Sequence, residues 1–125
     1  MLCIDTSTLI AYLEGLAGKD VDMADQAFAD EVGVLSPVAV TEILSDPTLR
    51  LPVKKTILEL PVLPIDDGFW ERAGELRSTI LRRGKKAKLA DTLIAQNCLD
   101  HNATLITRDR DFQSFKRFAK LKLLE

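Results

Sequence analysis

Asp5, Glu42, Asp91 and Asp109 are the residues of this sequence best placed to do chemistry, because each carboxylate stands where an apolar segment ends or begins. Asp5 closes the apolar run 2–5, and open α/β sheets gather their ligands at the carboxyl ends of strands. The same residue opens a run of capping types, Asp5, Thr6 and Ser7, so an N-cap is its competing role. Asp91 is harder to explain as structure. On a helix over 89–101, advancing about 100° per residue, it shares a face with Ile94, Ala95 and Cys98. A carboxylate on such a face needs a cation, strong donors or a raised pKa, unless backbone or an arginine binds it. Its first-turn position favours the ionised form through amide donors and the positive end of the helix dipole. Glu42 is the only charge on the apolar segment 38–44, which reads as a buried helix, with solvent exposure at the helix end as the alternative. Asp109 follows the strand 103–107, with Asp111 two positions on; either could instead cap a helix over 112–118.

Two acids at strand ends and two on buried helical faces converge on one edge of one sheet. Carboxylates so close repel one another unless hard cations lie between them, and oxygen-only donors select Mg²⁺ or Mn²⁺ over Zn²⁺. The elements that must position them alternate short apolar runs with segments of helical period. Strands are predicted over 2–5, 33–35, 62–65 and 103–107, with a weaker fifth over 121–124. Helices are predicted over 7–14, 21–30, 38–44, 53–60, 67–82, 89–101 and 112–118. Ser36-Pro37 is a helix start of the N-cap and first-turn proline kind, and Asp46-Pro47 stops that helix. The expected fold is α/β: one three-layer domain over residues 1–125, its central, mainly parallel sheet of four to five strands flanked by helices.

Composition narrows the chemistry further. The 125 residues carry 17 Lys+Arg against 19 Asp+Glu, which excludes a polycation and makes any nucleic-acid contact local. A single histidine, His101, is too few for the imidazole pair of a metal-free ribonuclease. Cys3 and Cys98 lack metal-like spacing and read as small apolar core residues. The opening MLCIDTSTLIAYL has no basic start and falls short of a membrane span, so a cytoplasmic protein without membrane attachment is expected.

The stretches LCIDTSTLIAYL, LSPVAVTEIL and KLADTLIAQNCLDHNATLITRDRDF, in this order and spacing, resemble the PIN-domain ribonucleases, and within them the VapC-type toxins of toxin–antitoxin operons. The resemblance covers essentially the whole chain. It implies that Asp5, Glu42, Asp91 and Asp109 form an acidic quartet, that Ser7 and Thr107 orient the acids or water, and that Asp111 assists or replaces Asp109. It further implies a metal-dependent endoribonuclease in which one or two Mg²⁺ or Mn²⁺ ions lower the pKa of a water and neutralise the attacked phosphate, leaving a 5′-phosphate and a 3′-hydroxyl. Asp5 and Asp91 would bind the principal metal, with Glu42 and Asp109 completing the site. A homodimer and a cognate antitoxin docking in a groove near the acids also follow; helices 7–14 and 21–30 are the expected groove wall.

Arg82, Arg83, Lys85, Lys86 and Lys88 put five cations just ahead of the helix carrying Asp91, either to hold RNA phosphates or as a solvated loop. Arg108, Arg110, Lys116 and Arg117 extend the patch. Phe112, Phe115 and Phe118 read as core, and Tyr12 and Trp70 as packing or interface residues. A phosphoacceptor receiver domain would have this length, yet it needs a second acid beside Asp5 and finds Thr6 and Ser7. A phosphatase of the Asp-x-Asp kind meets Ser7 at the same place. A non-catalytic PIN-like binding module remains a rival, separable from the nuclease by Mn²⁺ titration.

Overall fold

The computed structural model describes residues 1–125. Its centre is a parallel ladder: β1 (Leu2–Ile4) lies between β2 (Gly33–Val34) and β3 (Thr104–Ile106), with Cys3 opposite Val34 on one side and Leu105 on the other. Two further segments extend the sheet through single parallel bridges, Val62 to Leu35 at one edge and Leu123 to Leu105 at the other. The sequence pattern expects four to five strands, and the chain places segments at all five positions. The outer two stay rudimentary. Pro61 and Pro64 bracket the Val62 bridge, and a residue without an N–H cannot extend a ladder.

Helices cover the sheet: α1 (Thr6–Leu13), α2 (Lys19–Ala29), α3 (Pro37–Leu44), α4 (Leu51–Glu59), α5 (Phe69–Arg82), α6 (Leu89–Asp100) and α7 (Gln113–Ala119). Ser36 caps α3, accepting from the Val38 amide, with Pro37 in the first turn as its sequence predicts. Asn102 takes a left-handed conformation, φ 51°, directly after His101 closes α6. Gly68, φ 82°, turns the chain into α5, so that helix begins two residues later than its periodicity suggests.

Two apolar clusters fill the layers on either side of the sheet. One gathers Leu76, Ile80, Ile94, Cys98, Phe112 and Phe115, and the other Ile4, Leu9, Leu35, Ile43 and Ile57. Phe112 and Phe115 are thus core residues, as their spacing implies. Cys3 and Cys98 are buried free thiols that meet in the first cluster, and a hydrogen bond with Cys3 together with burial pushes the Cys98 thiol up. Two helices differ from their expected burial. α6 is enclosed beyond one stripe, since Thr92, Gln96 and Asn97 are buried along with Ile94, Ala95 and Cys98. α3, apolar nearly all round, buries only Ala39 and Ile43.

Candidate active site

Parallel topology brings the carboxyl ends of β1 and β3 together, and Asp5 and Thr107 follow directly from those strands. Asp5 is 3% exposed and stands at the N-cap of α1, yet its side chain makes no capping bond. Its Oδ2 instead accepts from Ser7 Oγ at 2.7 Å and from Thr107 Oγ1 at 2.8 Å. The capping alternative is therefore set aside for this residue. Burial raises the Asp5 pKa, and the two hydroxyls oppose the rise by favouring the carboxylate. Thr107 Oγ1 also accepts from the Asp109 amide at 3.0 Å, so one hydroxyl fixes both the first acid and the turn that delivers the next.

Asp109 combines two roles that the sequence poses as alternatives. Its Oδ1 accepts from the Asp111 amide at 2.9 Å, capping the 3-10 turn Arg110–Phe112, which leaves its other oxygen for a further partner. Asp91, Asp109 and Asp111 each offer a carboxylate oxygen such that all three atoms lie within 4.8 Å of one another. Asp91 enters this group from the first turn of α6, and its buried Oδ2 has no hydrogen-bond partner. Desolvation, then the charges of Asp109 and Asp5, push its pKa from 3.8 up to about 6, with Lys88 pulling the other way. A buried carboxylate oxygen without a donor, surrounded by like charge, marks a place built for a cation. All the donors are carboxylate oxygens, so the residues fit Mg²⁺ or Mn²⁺.

Glu42 lies outside that compact group. It is exposed on α3, and its Oε1 accepts from Thr6 Oγ1 at 2.7 Å, one residue from Asp5. Beside it opens a cleft of about 390 Å³, walled by Ile10 and Leu13 of α1, Ile43 of α3 and Val53 of α4, with Glu14 and Asp46 also on its lining. The expected groove wall of helices 7–14 and 21–30 shares only its first helix with this cleft. α1 and α2 close on each other, with Tyr12 5.5 Å from Phe28 and bonded to Asp25, and the open side of α1 faces α3 and α4 instead.

Of the basic cluster, Arg82, Lys85, Lys86 and Lys88 are exposed, and Lys88 Nζ lies 3.9 Å from Asp111. Arg83 stacks over Phe118 at 5.0 Å. Arg108 is turned to a different purpose from the rest of the patch: its Nε donates to Asp20 Oδ2 at 2.8 Å and its guanidinium also reaches Asp20 Oδ1 and the Ala17 carbonyl. Asp20 in turn accepts from the buried Thr8. This clamp ties the segment between β3 and Asp109 to α1 and α2. Sequence reasoning misses Asp20 and Thr8, and names Thr6 only as a capping type without its partner Glu42, because each is an ordinary helical polar residue whose partner lies on another element.

A parallel sheet whose neighbouring strand ends deliver a knot of carboxylates defines the class, and the family model of the PIN domain matches residues 2–121; the chain belongs to the PIN domain family. Within it, the chain is 30% identical to Ribonuclease VapC11 of Mycobacterium tuberculosis over 131 aligned positions, covering 98% of this chain and 96% of that one. A VapC ribonuclease of Mycobacterium bovis matches with the same figures. Among solved structures, FitAcB from Neisseria gonorrhoeae is similar with TM-score 0.73 and 27% identity, covering 100% of this chain and 97% of that chain. VapBC2 from Rickettsia felis, bound to a DNA fragment from its promoter, shares the fold at TM-score 0.73 and 20% identity, over 98% and 96% of the two chains.

Proposed function

We propose that this chain is a metal-dependent endoribonuclease, the toxin of a VapBC-type toxin–antitoxin pair, active as a homodimer. One observation carries the reading: Asp91 presents a buried, unpartnered oxygen to a group completed by Asp109 and Asp111, beside Asp5. The relatives' names supply the reaction class. Asp5, Asp91, Asp109 and Asp111 would hold Mg²⁺ or Mn²⁺, with Glu42 completing the rim through Thr6. When bound, such an ion lowers the pKa of a water and neutralises charge on the attacked phosphate.

The protein's own groups prepare that site. Ser7 and Thr107 favour the ionised form of Asp5 against its burial and fix its orientation, and Thr107 anchors the Asp109 turn. Lys88, exposed and 3.9 Å from Asp111, would meet an entering phosphate, with Lys85, Lys86 and Arg82 extending the cationic path. The cleft between α1, α3 and α4 would take an apolar antitoxin segment, and a basic residue on that segment would face Glu14, Glu42 and Asp46.

The test is incubation of the purified, partner-free chain with total RNA and Mg²⁺ or Mn²⁺, against EDTA and an identically prepared Asp91→Asn variant. Defined, metal-dependent fragments absent from the variant are expected. Mn²⁺ binding without cleavage would replace the nuclease with a non-catalytic module, and neither binding nor cleavage would overturn the site itself.

A further inference from the structure

The outermost segment of the sheet delivers one more acid to the edge where the carboxylates gather. Leu123 pairs with Leu105 in parallel, the Leu105 amide donating to the Lys122 carbonyl and the Leu124 amide to the Leu105 carbonyl. Two residues further along both segments, this register sets Glu125 beside Thr107, at the carboxyl edge from which Asp5 and Asp109 also emerge. Glu125 and Asp109 line one small cleft of about 70 Å³, together with Thr107, Arg110 and Gln113. The Glu125 carboxylate is nevertheless outside the group that Asp91, Asp109 and Asp111 form, because α7 takes it. Its Oε2 accepts from Lys116 Nζ at 2.7 Å and its Oε1 accepts from Gln113 Nε2, two donors that stand three residues apart on one helix face.

The groups around that carboxylate describe an anion site. Arg110, Gln113 and Lys116 are all exposed, and none of the chain's salt bridges involves Arg110. Lys19, exposed at the start of α2, borders a second depression shared with Thr107 and Glu125, and its charge also favours the Glu125 carboxylate. Arg108 lines both depressions but is committed to Asp20. An ammonium and an amide that hold two carboxylate oxygens would hold two phosphate oxygens in the same way. The pair they now make is open to solvent on both sides, 46% at Lys116 and 49% at Glu125, so it contributes little to stability and yields to a competing anion. RNA whose scissile phosphate lies at the acids carries further phosphates along this same edge.

We propose that Arg110, Gln113 and Lys116 form a subsite for an RNA backbone phosphate flanking the scissile one, and that Glu125 occupies it in the free chain as a built-in competitor. The subsite rests on the nuclease reading for its substrate. RNA entering it exchanges one carboxylate for one phosphate, so Lys116 releases no counterion there, and the displaced Glu125 sets a cost on binding that its removal should lift.

Fluorescence anisotropy of a labelled single-stranded RNA, in Ca²⁺ as a hard cation for the carboxylate group, reads affinity over a salt series. Cleavage with Mn²⁺ is scored separately on the same preparations. Glu125→Gln keeps the length and a hydrogen-bond acceptor but removes the charge, and it should bind RNA up to about fivefold tighter, the range set by an exposed ion pair. Its slope of log K against log salt should steepen by about 0.7, because Lys116 then holds a counterion that the phosphate displaces. Lys116→Gln should weaken RNA binding, and Glu125→Gln added to it should have no further effect. If Glu125 only ties the sheet edge to α7, Glu125→Gln leaves RNA affinity unchanged or weakens it, and either result would overturn the proposal. So would a gain that persists with Lys116→Gln, which would reduce the effect to overall charge. Inorganic phosphate bound more tightly by Glu125→Gln, with RNA affinity unchanged, would give the site to a free anion and also refute it. A subsite that responds as expected in a chain that cuts nothing refutes the nuclease and keeps the subsite, whereas cleavage with an unresponsive Glu125→Gln does the reverse.

Discussion

Replacing Asp91 by Asn should make the metal-free protein more stable and the metal-loaded protein less stable, and the crossing of the two is the diagnostic result. Burial and the neighbouring Asp109 and Asp5 lift the Asp91 pKa from 3.8 to about 6. A rise of that size corresponds to at most about 3 kcal/mol against the ionised form. The side chain is partly exposed, so water screens the effect, and about 1.5 kcal/mol is the more reasonable expectation. The folded state holds this proton more tightly than the unfolded chain does. Below the ordinary value of 3.8 both states are protonated and nothing is lost; stability then falls as pH rises through about 6, and the whole penalty is present at neutral pH. Asparagine cannot ionise, so without metal its melting temperature at neutral pH should exceed wild type by roughly 5–8 °C, and the gain should vanish in acid. With Mn²⁺ at a hundred times its Kd the wild type gains about 2.7 kcal/mol, which the variant lacks, and the order inverts. Thermal denaturation with EDTA and with Mn²⁺, at acid and neutral pH, reads all four states. A variant less stable than wild type in EDTA at neutral pH, or a difference independent of pH, would refute the electrostatic account of the site.

Ser7→Ala and Thr107→Ala each remove a donor to Asp5 Oδ2, so Mn²⁺ affinity measured by calorimetry should fall about tenfold to a hundredfold, with Thr107→Ala the worse because it also frees the Asp109 amide; unchanged affinity would count against their orienting role. Arg108→Ala should cost about 1 kcal/mol of stability in denaturant unfolding, because it breaks a largely surface pair with Asp20. That pair depresses the Asp20 pKa, through the Arg108 hydrogen bond first, so its contribution is present above the ordinary carboxylate range and is lost as pH falls through the depressed value. Lys85→Ala with Lys86→Ala should lower the slope of log K for single-stranded RNA against log salt by about 1.4, at about 0.7 per phosphate contact. An unchanged slope would return the loop to plain solvation.

Much of this protein is legible from local pattern. Short apolar runs separated by helical periods announce a parallel α/β sheet, and the Ser36-Pro37 start and Asn102 stop are local chemistry that the folded chain repeats. Asp91 is also legible, since a carboxylate heading the stripe of Ile94, Ala95 and Cys98 is anomalous before any partner is known. Glu42 shows the limit of such reasoning. A lone acid on an all-apolar segment suggests burial, but α3 buries only Ala39 and Ile43, and Glu42 lines the cleft in solvent.

What sequence alone determines here is set by neighbours along the chain: element type, caps, the acidic character of the strand ends and the absence of any imidazole pair. What tertiary structure decides depends on which remote residues arrive together. It selects Asp111 alongside Asp91 and Asp109, gives Thr107 to both Asp5 and Asp109, turns Arg108 toward Asp20, and opens the cleft against α3 and α4 rather than α2. These pairings join segments that only the crossover connections of a parallel sheet bring side by side. Hydrogen bonds and charge repulsion act over a few ångströms in space, so no reading of chain spacing could assign their partners.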